Sequence, residues 1–191
     1  MAPEKTKAEI IENLRKETSD NPDSAMAHLK LGTFLFKAGE SKAAEAELRR
    51  AIELDPTTIG AWVNLGGILL GRFDFDGCIE ANQKATECQP SLTIAHYNQG
   101  LGHLYKGEAE NMVACFEKVV ELDPDSPGGN YHLAISLYAI GDIQQSLAHY
   151  KKAMALGFTA QPEFIREMEK VQSGKITTIE IKPDSKDNSK Q

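Results

Sequence analysis

Four prolines stand 34 residues apart in this chain: Pro22, Pro56, Pro90 and Pro124. Other columns keep step with them. Gly32, Gly66, Gly100 and Ala134 form one, Leu31, Leu65, Gln99 and Leu133 a second, and Ala51, Ala85, Val119 and Ala153 a third. A fixed period of this length marks one supersecondary unit repeated in a stack, because a single such unit cannot bury its apolar face alone. The comb therefore constrains architecture first, and it moves the functional question from catalysis to binding.

Counted from Ala25, the period divides the chain into four repeats, 25–58, 59–92, 93–126 and 127–160. Each holds two stretches with apolar residues at helical spacing. In the first repeat a helix A is predicted over residues 25–38, with Leu31, Phe34 and Leu35 on its apolar stripe. Gly39-Glu40 interrupts it, and a helix B follows over 41–54 with Ala44, Leu48, Ala51 and Ile52 on one face. Asp55-Pro56 ends that helix, since proline cannot continue the backbone ladder and disfavours helix in the residue before it. Gly107 and Gly141 repeat the break between the two helices, whereas the second repeat carries Arg72-Phe73-Asp74 there.

Pro22 belongs to the comb although no full repeat precedes it. Ile10 and Leu14 fall on the helix B packing columns, so residues 1–24 are read as an N-terminal capping helix, an orphan helix B over about residues 5–18. Residues 161–172 are read as a C-terminal capping helix, an orphan helix A with Pro162 in its first turn and a polar outer face. Residues 173–191 form an extended or disordered tail, with branched and polar residues alternating over 175–182 and a charged, Ser-rich end from Pro183.

These columns resemble the tetratricopeptide repeat family, whose pattern runs Trp-x2-Leu-Gly-x2-Tyr, then Ala-x3-Phe, then Ala, then Pro. The second repeat carries Trp62, Leu65, Gly66, Leu69, Cys78, Asn82, Ala85 and Pro90, and the first carries His28, Leu31, Gly32, Leu35, Ala44, Leu48, Ala51 and Pro56. The third has His96, Gln99, Gly100, His103, Met112, Phe116, Val119 and Pro124. The fourth has Asn130, Leu133, Ala134, Leu137, Ser146, Tyr150 and Ala153, with Phe158 in place of the proline. The resemblance implies an all-α fold, a right-handed superhelical solenoid of four such helix pairs with an extra helix at each end. Gln99, His103 and Asn82 depart from it on packing faces and are expected to be soft spots or polar groups satisfied by each other.

The bulk numbers exclude several classes of function. A formal charge of -7, spread among interleaved acids and bases, does not attract nucleic acid or anionic membranes as a whole. The longest near-apolar stretch, residues 60–71, is too short to span a bilayer. Cys78, Cys88 and Cys115 show no Cys-x-x-Cys spacing, and the first residues lack an apolar leader, so reduced thiols in a soluble cytoplasmic protein are expected. Cys78 falls at a helix-packing position. No His-x3-His pair and no glycine-rich loop after a strand occurs, so no enzyme, metal or cofactor is expected.

The resemblance implies that the helix A faces line a concave groove. Its sixth position reads Lys30, Asn64, Asn98, His132 and, in the cap helix, Arg166. All five are hydrogen-bond donors, and an Asn amide can donate to one backbone carbonyl and accept from one backbone N–H. The row is thus a candidate peptide-binding rail. Beside it stand Leu29, Val63, Tyr97, Leu101, Tyr131, Ile135 and Tyr138, with Gly60, Gly67 and Gly128 opening space. Apolar surface of that extent marks an interaction site. The residues of a carboxylate clamp for acidic chaperone tails are not met beyond one Asn.

The leading expectation is a non-enzymatic protein-protein interaction adaptor or scaffold holding a peptide or partner segment in that groove. A self-assembling scaffold that associates through 175–182, and a regulatory subunit of an enzyme on another chain, are the alternatives.

Overall fold

The computed structural model describes residues 6–177, and among them every regular element is a helix. In chain order these are α1 (Lys7–Asp20), α2 (Ala25–Lys37), α3 (Ser41–Leu54), α4 (Ile59–Gly71), α5 (Phe75–Cys88), α6 (Thr93–Lys106), α7 (Ala109–Leu122), α8 (Pro127–Ala139), α9 (Ile143–Ala155) and α10 (Pro162–Gln172). The helices A are α2, α4, α6 and α8, and the helices B are α3, α5, α7 and α9. Both extra helices are present. The first begins later than the column pattern predicts, because Thr6 and Glu9 form a reciprocal capping box at its start. The segment beyond residue 177 lies outside the described residues.

The chain divides into two compact units, Met1–Gly107 and Glu108–Gln191. In the first, α2 packs on α3 and α4 on α5, while α3 packs on α4, α5 on α6, and α1 on α2. The helices A also touch one another in sequence, α2 against α4 and α4 against α6. The core is built from helix B columns and the helix A residues that face them: Leu31, Leu35, Ala44, Leu48 and Ala51 lie within 2% of full burial. In the second unit α7 packs on α8, α8 on α9 and α9 on α10. Its core is aromatic, with Tyr131, Tyr150, Met168 and Val171 buried together and Phe158 and Phe164 packed against them.

The glycine column makes the close helix contact possible. A Cβ on Gly32 would lie 2.8 Å from Leu48 Cγ, and one on Gly66 would lie 2.1 Å from Asn82 Nδ2. A second requirement sits at the turn between the two helices, where the backbone is left-handed: φ is 86° at Gly39, 73° at Gly107 and 84° at Gly141. The fourth member of that column is Phe73, held at φ 63°. That conformation costs a non-glycine residue about 1–2 kcal/mol.

The proline comb and the Trp column turn out to be two ends of one hydrogen bond. The ring nitrogen of Trp62 donates to the Pro56 carbonyl at 2.8 Å. His28 Nε2 donates to Pro22 at 3.0 Å, His96 Nε2 to Pro90 at 2.8 Å, and Asn130 Nδ2 to Pro124 at 2.9 Å. Each bond ties the loop before a helix A to that helix's first turn. Proline supplies only an acceptor there, so the fourth position must supply a donor. His28 and Asn130 reach further, to Glu47 and His149 of their own helix B at 2.7 and 3.0 Å. At the fifth member of each column, Phe164 has no side-chain donor for the Phe158 carbonyl, and both rings pack against the core of the second unit.

Candidate partner-binding surface

In the first unit the adjoining faces of α2, α4 and α6 carry Lys30, Asn64 and Asn98. Each is held by one intramolecular bond. Lys30 Nζ pairs with Glu17 of α1 at 2.7 Å. Asn64 Nδ2 donates to Thr33 Oγ1 at 2.8 Å, a bond from α4 to α2. Asn98 Nδ2 donates to Asn82 Oδ1 at 3.3 Å. Asn82 is fully buried and donates in turn to the Cys78 carbonyl at 2.8 Å. Its polar group is thus satisfied, by Cys78 and Asn98 and not by Gln99 or His103. Asn64 and Asn98 are half-buried, and each amide keeps its side-chain oxygen and one N–H free of partners among the described residues. An amide fixed at one N–H presents its other two groups in a set direction.

Leu29, Val63, Tyr97 and Leu101 are half-buried around these amides. Burial pushes the Tyr97 phenol above its ordinary range. Gly60 and Gly67 do not open space for a ligand. The Leu29 side chain and the Phe36 ring occupy it, each 3.4 Å from where a Cβ would stand. Helix A side chains of one repeat fill the gaps left by the next.

In the second unit the candidate residues are placed differently. Tyr131 is 3% exposed: its ring stacks on Phe158 at 4.4 Å and meets Phe164 edge-on, and its hydroxyl accepts from the Gln161 N–H at 3.1 Å. It is a core residue, which corrects its expected place beside the rail. His132 stacks on Phe116 at 5.1 Å, and its Nδ1 donates to the Gly128 carbonyl at 2.9 Å. Burial holds its pKa below the ordinary histidine range, against the opposing pull of that carbonyl. Arg166 is exposed, folded back on Glu163 and the Pro162 carbonyl. Ile135 and Tyr138 are half-buried against the core, with the Tyr138 hydroxyl donating to Glu167 at 2.9 Å. Ile176, at the start of the tail, packs against that same core.

An exposed aromatic cluster also stands out on the first unit. Phe73 and Tyr105 are 77% and 61% exposed, with Phe75 stacked on Tyr105 at 5.1 Å and edge-on to Phe73 at 6.3 Å. Its signal in the sequence was Phe73 standing in a glycine column. The buried Cys78 and the half-buried Cys115 have thiols pushed up to about 11 by burial, which keeps both as protonated packing groups. Among the described residues no cluster of three metal-ligating side chains occurs, and no helix is long and apolar enough to cross a membrane.

Models of the tetratricopeptide repeat match residues 8–58 and 94–126. Superkiller complex protein 3 of Mus musculus is 24% identical over 142 residues, covering 67% of this chain. The Hsp70-Hsp90 organizing protein of Triticum aestivum is 27% identical over 97 residues, covering 51%. The chain spans only 9% and 17% of those two relatives. Among solved structures, MamA superposes with a TM-score of 0.74 at 22% identity, over 78% of this chain and 88% of that one. PilF of Pseudomonas aeruginosa superposes with a TM-score of 0.70 at 22% identity, over 84% and 77%. At such identities the likeness concerns the fold. The two matched stretches, the 34-residue columns and the paired helices agree in showing tetratricopeptide repeats in this chain.

Proposed function

We propose that this chain is a non-enzymatic adaptor that holds an extended segment of a partner protein against the helix A face of its first unit. Repeats of this family mediate protein-protein interaction, and the surface described above is suited to it. The observation that carries the reading is the pair of amides 34 residues apart, Asn64 and Asn98, each pinned by one bond and, among the described residues, open at its remaining donor and acceptor. Two such groups can hold a peptide backbone without reading its side chains. Leu29, Val63, Tyr97 and Leu101 around them would take the partner's apolar side chains. In the second unit Arg166, Ile135 and Tyr138 remain accessible in part, while His132 and Tyr131 serve its packing. The packing of Ile176 on its own unit gives the self-assembly alternative no support at that residue.

The test starts from a partner segment mapped by cross-linking mass spectrometry and made as a peptide. Asn64→Ala is the cleaner variant, because Thr33 is half-exposed and can be solvated when its partner is lost. Two hydrogen bonds at about 0.5–1.5 kcal/mol each predict a loss of roughly fivefold in Kd or more. Unchanged affinity, with the helical content intact, sinks the amide mechanism.

A further inference from the structure

Among the described residues the first unit has an open seat next to α1. Ile10 and Leu14 stand 34 residues before Ala44 and Leu48, the helix B residues that α2 covers completely. No helix among the described residues covers Ile10 and Leu14 in that way. Among the described residues the flank of α2 is bare on the same side. Its residues Leu29, Lys30, Phe34 and Lys37 correspond to Val63, Asn64, Ile68 and Gly71 of α4. On α4 that flank is occupied: Asn64 meets Thr33, Ile68 is 2% exposed, and α2 lies alongside. On α2 the Phe34 ring is half-exposed and both lysines are exposed. A largely apolar cavity of about 460 Å³ lies there, lined by Ile10, Leu14, Leu29 and Phe34 with Lys30 and Lys37 at its edge.

We infer that this seat receives an amphipathic helix of a partner protein, which packs on α1 and α2 as a helix A would. The register specifies its chemistry. Where Gly32 meets Leu48, a Cβ would approach to 2.8 Å, so the incoming helix needs Gly opposite Leu14. Where Thr33 meets Asn64, a ninth position faces a sixth, so the ninth position of the incoming helix faces Lys30. Lys30 already has Glu17, but Lys37 has no acidic partner among the described residues. Carboxylates on that edge of the incoming helix therefore complement the seat. A second copy of this chain is the poorer occupant, since each copy carries a formal charge of -7. The seat shares Leu29 and Lys30 with the proposed peptide surface, and Leu14 and Lys37 set it apart.

The probe is a stapled, fluorescein-labelled helix with the α2 sequence of residues 25–37 carrying T33E and K37E. Fluorescence anisotropy against the full chain reads its affinity. The wild type is expected to bind, Lys37→Glu to weaken binding about threefold or more, and Leu14→Asp to remove it. A probe that also carries G32L is expected not to bind, and Asn98→Ala in the chain is expected to change nothing, which separates this seat from the amide surface. Lys37 is exposed, so its variant tests the seat without disturbing the fold. Absence of probe binding, or equal binding by wild type and Lys37→Glu, overturns the inference. So does a wild-type dimer in sedimentation that Leu14→Asp dissociates, because a second copy would then own the seat.

Discussion

Asn82 stands in the column of Leu48, Phe116 and Tyr150, fully buried, and replacing it with leucine should make the first unit more stable. Leucine has nearly the outline of asparagine, so its methyl groups would take the places of Oδ1 and Nδ2 opposite Gly66, as Leu48 does opposite Gly32. Two hydrogen bonds to oxygen are lost, with a weak one to the Cys78 sulfur at 3.6 Å. The one to the Cys78 carbonyl is supernumerary, since that carbonyl keeps its backbone partner within α5. The one from Asn98, at 3.3 Å, leaves a half-buried amide that water can reach. Together these cost about 1–3 kcal/mol. Against that, burying a leucine side chain contributes about 1.5–3 kcal/mol, and the cost of the lost bonds lies at the low end of its range because water replaces one of them and the other is supernumerary.

The balance favours the variant by roughly 1 kcal/mol. Trp62, the single tryptophan, lies in the same unit, so urea unfolding followed by its fluorescence reads the change directly. The expected result is a higher midpoint at an unchanged slope, together with weaker binding of the partner peptide because Asn98 is no longer pinned. A lower midpoint would refute the reasoning: the buried amide would then be a stabilising group and not one retained to orient Asn98.

Phe73→Asn should raise the same midpoint, because asparagine tolerates φ 63° and the phenyl ring it replaces is 77% exposed. Gly141→Ala at φ 84° should lower the stability of the second unit by about 1–2 kcal/mol, measured by thermal melting in circular dichroism. The second unit should also lose stability in mild acid. His132 and His149 both have pKa values lowered chiefly by burial, so the unfolded chain binds protons first; stability is full above pH 6.5 and falls as pH drops through that value toward the folded pKa values. Melting temperatures between pH 7.5 and 5 check this, and His132→Gln should flatten the slope.

Periodicity made the regular parts of this molecule legible, and its interruptions decided what periodicity could not. Helices ended where Pro, Gly or Asp-Pro broke a local pattern, so the bounds of α2 through α9 follow the 34-residue ruler closely. The start of α1 did not, because its Thr6-x2-Glu9 box is a local signal that the columns do not contain. At the surface, a column says that residues occupy equivalent places on equivalent helices. It does not say what covers them. Tyr97 and Tyr131 share one column, yet Tyr97 is half-buried and Tyr131 is sealed. The cause is 27 residues further along the chain, where Phe158 takes the place of the fifth comb proline and lays its ring on Tyr131. The same ring meets His132 edge-on at 6.4 Å, so one substitution in the comb removes two candidates from the binding surface. Where the comb is intact, Asn64 and Asn98 keep open donors and acceptors. In this chain the candidate amides stand where the period holds, and the surface closes where the period fails.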